Sequence, residues 1–344
     1  MKILVIQKKR IGDVLTSTIL LEALKEKFPQ SELHYLIYPN SIAVVEKNPF
    51  VDKIIVLDNL AKNKTSKFID LLYQIRKEKY NVVVDAYGKP NSVIIGWFSG
   101  AKKTITFDKI YSRILYSNVI NRNENSFSNA TKAIEHRMKL LKPLGIDFKE
   151  LKPKIFLTSN EILIAKNSLI TQGIDFLKPL VMISAIGSNE AKTYPLEYMA
   201  QVLNKISSTN ETQILFNYLP YQKELATRLC NLCDLDTQKK IFLDIYENNL
   251  RQFLALTKNC NALIGNEGGA TNMAKALDIP TFTIYAPGVV KTDWNMFENQ
   301  DTNISVHVND YLTTENFDHH VLSEKFNPEL FEDKLNHFLK INCN

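Results

Sequence analysis

The chain has 344 residues, 45% apolar and 23% charged, which suits two cored domains and excludes a disordered polymer. No apolar run approaches the ~18 residues a membrane-spanning helix requires. Residues 1–160 hold 27 Lys+Arg against 15 Asp+Glu, net +12, and residues 161–344 hold 15 against 22, net −7. Such a split points to an anionic partner for the first half: a membrane face, a phosphorylated substrate or nucleic acid. A skewed but merely solvated surface is the plain alternative.

The chain opens with "KILVIQ", a short apolar strand followed by Lys8, Lys9, Arg10, Gly12 and Asp13. The strand is too short for a secretory signal, so a cytoplasmic protein is expected. An amphipathic helix follows in "DVLTSTILLEALKEKFP", closed by Pro29. Next come the strand "ELHYLIY", a helix near "NSIAVVEKNP", the strand "DKIIVLD", the helix "TSKFIDLLYQIRKEKY" and the strand "NVVVDAYG". After a short helix, whose Trp97 and Phe98 could help at a membrane face but are more readily read as core packing, comes "KTITF". "AIEHRMKLLKPLGID" is a helix ended by Pro143 and Gly145, and "FKELKPKIFLTS" reads as a linker. Strands alternating with helices at this spacing indicate parallel βαβ units.

The pattern restarts near residue 175. "PLVMISAIG" has the apolar character of a strand covered on both faces. The helix "PLEYMAQVLNKI", the strand "TQILFNY", the helix "QKELATRLCNLC", "KIFLDI" and the helix "NLRQFLALTKN" follow. "NALIGN" then leads into "EGGATNMAKALDIP" and the strand "TFTIYAP", and "NPELFEDKLNHFLK" supplies a last helix. The expected architecture is therefore α/β, with two Rossmann-like domains. Ligands in such sheets bind beyond the carboxyl ends of the strands. Cys230 and Cys233 form a C-x-x-C in a helical stretch, without the further ligands a zinc site requires.

Three strand-to-helix turns carry candidate chemistry. In "GNEGGATNMA", Gly268 and Gly269 leave the backbone open to a ligand and the new helix offers free N–H groups to a phosphate. Glu267 could accept from a ribose hydroxyl, or simply favour the helix dipole. In "ISAIGSNEAKTYPLEYM", Gly187 and Ser188 close the strand and Lys192 could neutralise a pyrophosphate, or be a solvated loop lysine. Asp13 could be a base, or cap its helix. The first turn has neither G-x-G-x-x-G nor a P-loop pattern.

Together these segments resemble glycosyltransferase family 9, the ADP-heptose:lipopolysaccharide heptosyltransferases. The resemblance runs through the "IGD" of residues 11–13, "YNVVVDAYG" with Asp85, Lys192-Thr193-Tyr194-Pro195, and "GNEGGATNMAKALDIPTFTIYAP" from Gly265 to Pro287. It implies a GT-B fold. Residues 1–160 would form an acceptor-binding domain, with a C-terminal helix near 328–341 packing back on it. Residues 175–325 would form a nucleotide-sugar-binding domain, the two sheets facing across a cleft. By the same resemblance Asp13 is the general base and Lys192 contacts the donor phosphates. Gly187, Ser188, Glu267, Gly268, Gly269 and Asn272 line the donor site, and Glu224 is a looser match for a residue near the ribose or base. The family's usual residues at 267, 268, 272 and 194 are Asp, Thr, His and Trp, so the donor pocket is altered here.

The implied reaction is an inverting transfer of a heptose-type sugar from a nucleotide diphosphate, ADP-heptose first, to a glycolipid of the lipopolysaccharide core. No His cluster calls for a metal, and no cofactor is expected. Lys8, Lys9, Arg10 and Gly12, aided by Lys102, Lys103 and Arg113, would receive an anionic acceptor at the cytoplasmic membrane face. A different nucleotide sugar, or a non-catalytic sugar-nucleotide binder, is the alternative. The bases are scattered among βα units without a recognition helix, so no nucleic acid is expected.

Overall fold

In the computed structural model, residues 1–8, 10–57, 64–122, 130–247, 249–313 and 318–343 are described. They form two compact units, Met1–Phe156 and Leu157–Asn344.

The first unit is a six-stranded, wholly parallel sheet made of β1 (Lys2–Ile6), β2 (Glu32–Ile37), β3 (Lys53–Val56), β4 (Val82–Asp85), β5 (Lys103–Phe107) and β6 (Asn118–Ile120). Its helices are α1 (Ile11–Lys27), α2 (Lys64–Lys77), α3 (Pro90–Phe98), α4 (Ile110–Leu115) and α5 (Lys132–Lys139). The strand order β3-β2-β1-β4-β5-β6 reverses direction between β1 and β4, where the register sets Ile6 opposite Asp85. Right-handed crossovers therefore place α1 on one face of the sheet and α2, α3 and α4 on the other. The packing agrees: α1 lies against α5 and the 3-10 turn Pro39–Val44, and α2, α3 and α4 lie side by side. Covered in this way, α1 is buried on all sides from Val14 to Leu24, and not on one stripe as its amphipathic reading supposed. Trp97, expected in the core, stands 55% exposed on α3.

The second unit repeats the plan. Its strands are β7 (Leu180–Ser184), β8 (Gln213–Asn217), β9 (Ile241–Phe242), β10 (Ala262–Asn266), β11 (Thr281–Tyr285) and β12 (Asn303–His307), in the order β12-β11-β10-β7-β8-β9 and again all parallel. The helices are α6 (Ser159–Thr171), α7 (Leu196–Ser207), α8 (Lys223–Leu232), α9 (Leu235–Gln238), α10 (Leu250–Thr257), α11 (Gly269–Ala276), α12 (Lys291–Trp294), α13 (His319–Lys325) and α14 (Glu332–Asn342).

Two expectations about the domains change. The boundary falls after Phe156, and α6 belongs to the second unit: Arg251 on α10 grips Glu161 (2.6 Å) and Asn259 donates to the Ile162 carbonyl. The final helix also belongs to the second unit's core. Phe331, Leu335, Phe338 and Leu339 form one helical stripe and are at most 2% exposed. That stripe meets rings of the second unit, with centroids 5.7 Å apart for Phe282–Phe338 and 5.4 Å for Phe326–Phe331. The aromatic stripe fixes the partner, because offset and edge-on ring contacts reward one specific neighbour.

Candidate active site

At the carboxyl edge of the first sheet, β1 passes into α1 through Arg10, an exposed residue with φ of 62° that occupies the helix N-cap. Open space surrounds the bare Cα of Gly12. Asp13, one turn position further, does not cap the helix. Its Oδ1 accepts from the Arg137 guanidinium at 2.8 Å, and its side chain is 27% exposed. Arg137 is buried and braced by the Ser17 hydroxyl (2.8 Å) and the Ala133 carbonyl (2.6 Å), so the cation beside Asp13 is fixed from three sides. Asp13 Oδ2 has no hydrogen bond among the described residues. A carboxylate anchored through one oxygen and open at the other is chemically a base.

The basic residues before it divide. Arg10 is exposed, and Lys9 lies outside the described residues. Lys8, expected as a surface cation, is 1% exposed. Its Nζ lies 5.6 Å from the Tyr87 ring centroid and 6.0 Å from that of Tyr38. Burial lowers its pKa to about 8, against the opposing field of Asp85. Asp85 is itself fully buried at the end of β4, and burial raises its pKa to about 6. Its Oδ1 takes the N–H groups of Tyr87 (3.0 Å) and Gly88 (2.9 Å). The strand-order reversal brings these two groups together: β1 and β4 are neighbours although some 75 residues separate them.

In the second unit the reversal joins the ends of β7 and β10. The loop after β7 carries Gly187, exposed Ser188 and Lys192, and it folds tightly on itself. A Cβ at Gly187 would fall 2.2 Å from the Lys192 carbonyl oxygen, so only glycine fits. Gly187 N–H donates to Thr193 Oγ1 (3.1 Å), and Asn189 Oδ1 accepts from Lys192 N–H (3.1 Å). Lys192 Nζ then stands 3.8 Å from Glu267 Oε2, in the turn after β10. Burial raises the Glu267 pKa, with Lys192 and Lys275 opposing. Nothing lies within 4 Å of a Cβ built at Gly268, so the backbone leading into α11 is open, and Asn272 is half-buried in that helix. A cation, free helix N–H groups and bare backbone together can receive a diphosphate.

Glu224 does not join this group of contacts. It is exposed on α8, in a surface hollow also lined by Thr227 and Arg228.

Three residues that the sequence reading passed over hold the site in shape. Asn266, 1% exposed, accepts from Tyr194 N–H (2.7 Å) and donates to the carbonyls of Ser184 (2.8 Å) and Ala185 (2.9 Å). Gln222 donates to the Gly187 carbonyl (2.9 Å) and accepts from Leu219 N–H. Lys275, buried in α11, donates to Asn295 Oδ1 (3.2 Å) and the Met296 carbonyl (3.0 Å). Asn266 lies inside the glycine-rich motif and could have been found there; Gln222 and Lys275 carry no local signal.

The sequence profile described as glycosyltransferase family 9 (heptosyltransferase) matches residues 69–319. Lipopolysaccharide heptosyltransferase 1 of Campylobacter coli is 24% identical over 297 residues, covering 83% of this chain and 84% of that protein. Among solved structures, a family 9 glycosyl transferase of Veillonella parvula superposes with a TM-score of 0.81 at 18% identity, covering 97% of each chain. The E. coli ADP-heptose lipopolysaccharide heptosyltransferase II does so with a TM-score of 0.76 at 17% identity, covering 99% of each. With two Rossmann-like units and a profile match over well more than half its length, the chain belongs to glycosyltransferase family 9 and is a glycosyltransferase of the GT-B fold class.

Proposed function

We propose that the protein is an inverting, metal-independent transferase that moves a heptose-type sugar from ADP-heptose to a glycolipid of the lipopolysaccharide core at the cytoplasmic membrane face. The observation that carries this reading is Asp13, ionically anchored through one oxygen to buried Arg137 and, among the described residues, without a hydrogen bond at the other. Asp13 Oδ2 takes the proton of the acceptor hydroxyl. The hydroxyl oxygen attacks the anomeric carbon, and the bond to the diphosphate breaks on the opposite face, inverting the configuration. Charge gathers on the leaving diphosphate, where Lys192, Ser188 and the open start of α11 receive it. Glu267, 3.8 Å from the Lys192 ammonium, can turn to a sugar or ribose hydroxyl once phosphate competes for that cation. The names of the Campylobacter coli and E. coli relatives support lipopolysaccharide as the acceptor class and ADP-heptose as the donor.

The test compares Asp13→Ala and Lys192→Ala with the native chain, using ADP binding by calorimetry and transfer from ADP-heptose to heptose-deficient lipopolysaccharide. Removing a positioned base costs ~10²–10⁴ in kcat, so Asp13→Ala should lose that much while retaining ADP affinity. Lys192→Ala should weaken ADP itself. Full turnover by Asp13→Ala would remove the base assignment. Glu267 and Asn272 depart from the usual donor motif, so UDP- or GDP-sugar turnover in place of ADP-heptose would assign another donor. Binding of a nucleotide sugar without turnover of any would mark a non-catalytic relative.

A further inference from the structure

Two half-buried tyrosines flank the end of β1: Tyr38, directly after β2, and Tyr87, in the turn after β4. β2 and β4 are the two neighbours of β1, so both rings stand at the strand-order reversal, on the edge of the sheet where α1 begins with Gly12 and Asp13. Their backbones are pinned. Tyr87 N–H donates to Asp85 Oδ1 and to the Ile6 carbonyl (3.2 Å), and the Tyr111 hydroxyl closes the same turn by donating to the Gly88 carbonyl (2.9 Å). Tyr38 leads into the 3-10 turn Pro39–Val44, which packs on α1, and its carbonyl accepts from Ser41 N–H (3.0 Å). The buried Lys8 ammonium lies within 6.0 Å of both ring centroids.

The hydrogen bonding here is incomplete. Among the described residues, neither the Tyr38 hydroxyl, the Tyr87 hydroxyl nor the Lys8 ammonium has a hydrogen-bond partner. In the same unit the hydroxyls of Tyr35, Tyr80, Tyr111 and Tyr116 bond to Val14, His34, Gly88 and Asp85. A phenol set into a fold ordinarily finds a partner, so a rigidly mounted pair that lacks one is open to a partner from outside. Burial first, and then the charges of Tyr38, Asp85 and Asp13, raise the Tyr87 pKa, so its hydroxyl keeps its proton within the field of Asp13.

We propose that Tyr38 and Tyr87 are acceptor-side specificity residues: their hydroxyls hydrogen-bond to acceptor-sugar hydroxyls that neighbour the one Asp13 deprotonates, and Lys8 positions the two rings from behind. A sugar fits because each phenol both donates and accepts, as vicinal sugar hydroxyls do, and because the ring flanks receive its C–H groups. One cation behind two aromatic rings attracts both and holds them in a single orientation. At 1% exposure Lys8 acts through the rings and not on the sugar. The inference rests on the transferase reading above, in which Asp13 is the base.

The test is calorimetric binding of the oligosaccharide of heptose-deficient lipopolysaccharide, freed of its acyl chains, to the full chain in the presence of ADP, with thermal melts alongside. Tyr38→Phe and Tyr87→Phe keep the rings and delete one hydroxyl each. Each should weaken oligosaccharide binding about three- to tenfold, the range of one hydrogen bond, with native ADP affinity. Because neither hydroxyl has a partner among the described residues, the melting temperature should stay within about 1 °C of native. Tyr80→Phe removes a hydroxyl bonded to His34 (2.6 Å) at the opposite edge of the sheet, and should lower the melting temperature while leaving oligosaccharide binding native. Lys8→Met should weaken binding in the native background but add nothing in Tyr38→Ala/Tyr87→Ala, followed by ligand-observed NMR, since no rings remain to position. Binding undiminished in Tyr38→Phe/Tyr87→Phe overturns the inference and leaves the transferase reading intact. An equal loss from Lys8→Met in both backgrounds overturns the positioning role. No binding by the native chain is a failure of the acceptor reading itself, and this subsite falls with it.

Discussion

Substituting Asn266 tests how the second unit's site is held. Its amide makes three hydrogen bonds in a fully buried position, accepting one and donating two. Asn266→Ala leaves Tyr194 N–H and the carbonyls of Ser184 and Ala185 without this partner. Orphaned buried polar groups cost ~1–3 kcal/mol each, carbonyls toward the lower end because each has a second lone pair to satisfy elsewhere. A total of about 3 kcal/mol is expected, which lowers the melting temperature of a unit of this size by roughly 6–12 °C. Asn266→Asp is nearly isosteric and should be worse. It sets a carboxylate oxygen where the amide nitrogen stood, 2.8 and 2.9 Å from two carbonyl oxygens. Scanning calorimetry at pH 7 ranks the three proteins, with native above Ala above Asp. An Asp variant as stable as the native chain would refute the bonding scheme. An Ala variant within about 0.5 kcal/mol of native would show that the orphaned groups find other partners, since that is the ordinary scatter of surface changes.

Two further outcomes follow from burial. The Asp85 pKa is raised by folding to about 6, so its contribution is fully present below the unfolded value near 4 and is lost as pH rises through 6. Lys8 is lowered to about 8, so its contribution is present above the unfolded value and is lost as pH falls through 8. Between pH 6 and 8 both charges are unfavourable, and Asp85→Asn should gain on the native chain by up to about 3 kcal/mol between pH 4 and 7. Denaturant melts across that range check this; a pH-independent difference between the two proteins would rule it out. Phe338→Ala removes a fully buried ring from α14 and should cost about 3–5 kcal/mol. Hydrogen exchange should show the loss in β11 and α14, with β1 and β4 unmoved; faster exchange confined to β1 and β4 would contradict the packing.

The alternation of strands and helices was legible from periodicity alone, because parallel strands covered on both faces must be apolar throughout, as "ILVI" and "LVMIS" are. The edge strands β6 and β12 escaped notice: β6 is three residues long, and β12 reads "NISVH", with polar side chains that are buried only by their neighbours. The turns bearing Asp13, Lys192 and Glu267 were legible because glycine and charge cluster there. Lys8 misled because its context of three consecutive bases suggests solvent, whereas strand order places it beside Asp85. The helix stripe of Phe331, Leu335 and Phe338 announced burial but not against what, since periodicity specifies a face and never its partner. Gln222 reaches the Gly187 carbonyl 35 residues away, which no local pattern records.

Because α14 stays with the unit in which its chain segment begins, each half of the molecule is one uninterrupted stretch of polypeptide, joined at the single peptide bond between Phe156 and Leu157. Gene fragments divided at that bond should yield two separately producible proteins, each with its own complete sheet. Nucleotide recognition could then be measured on the carboxy-terminal fragment by itself.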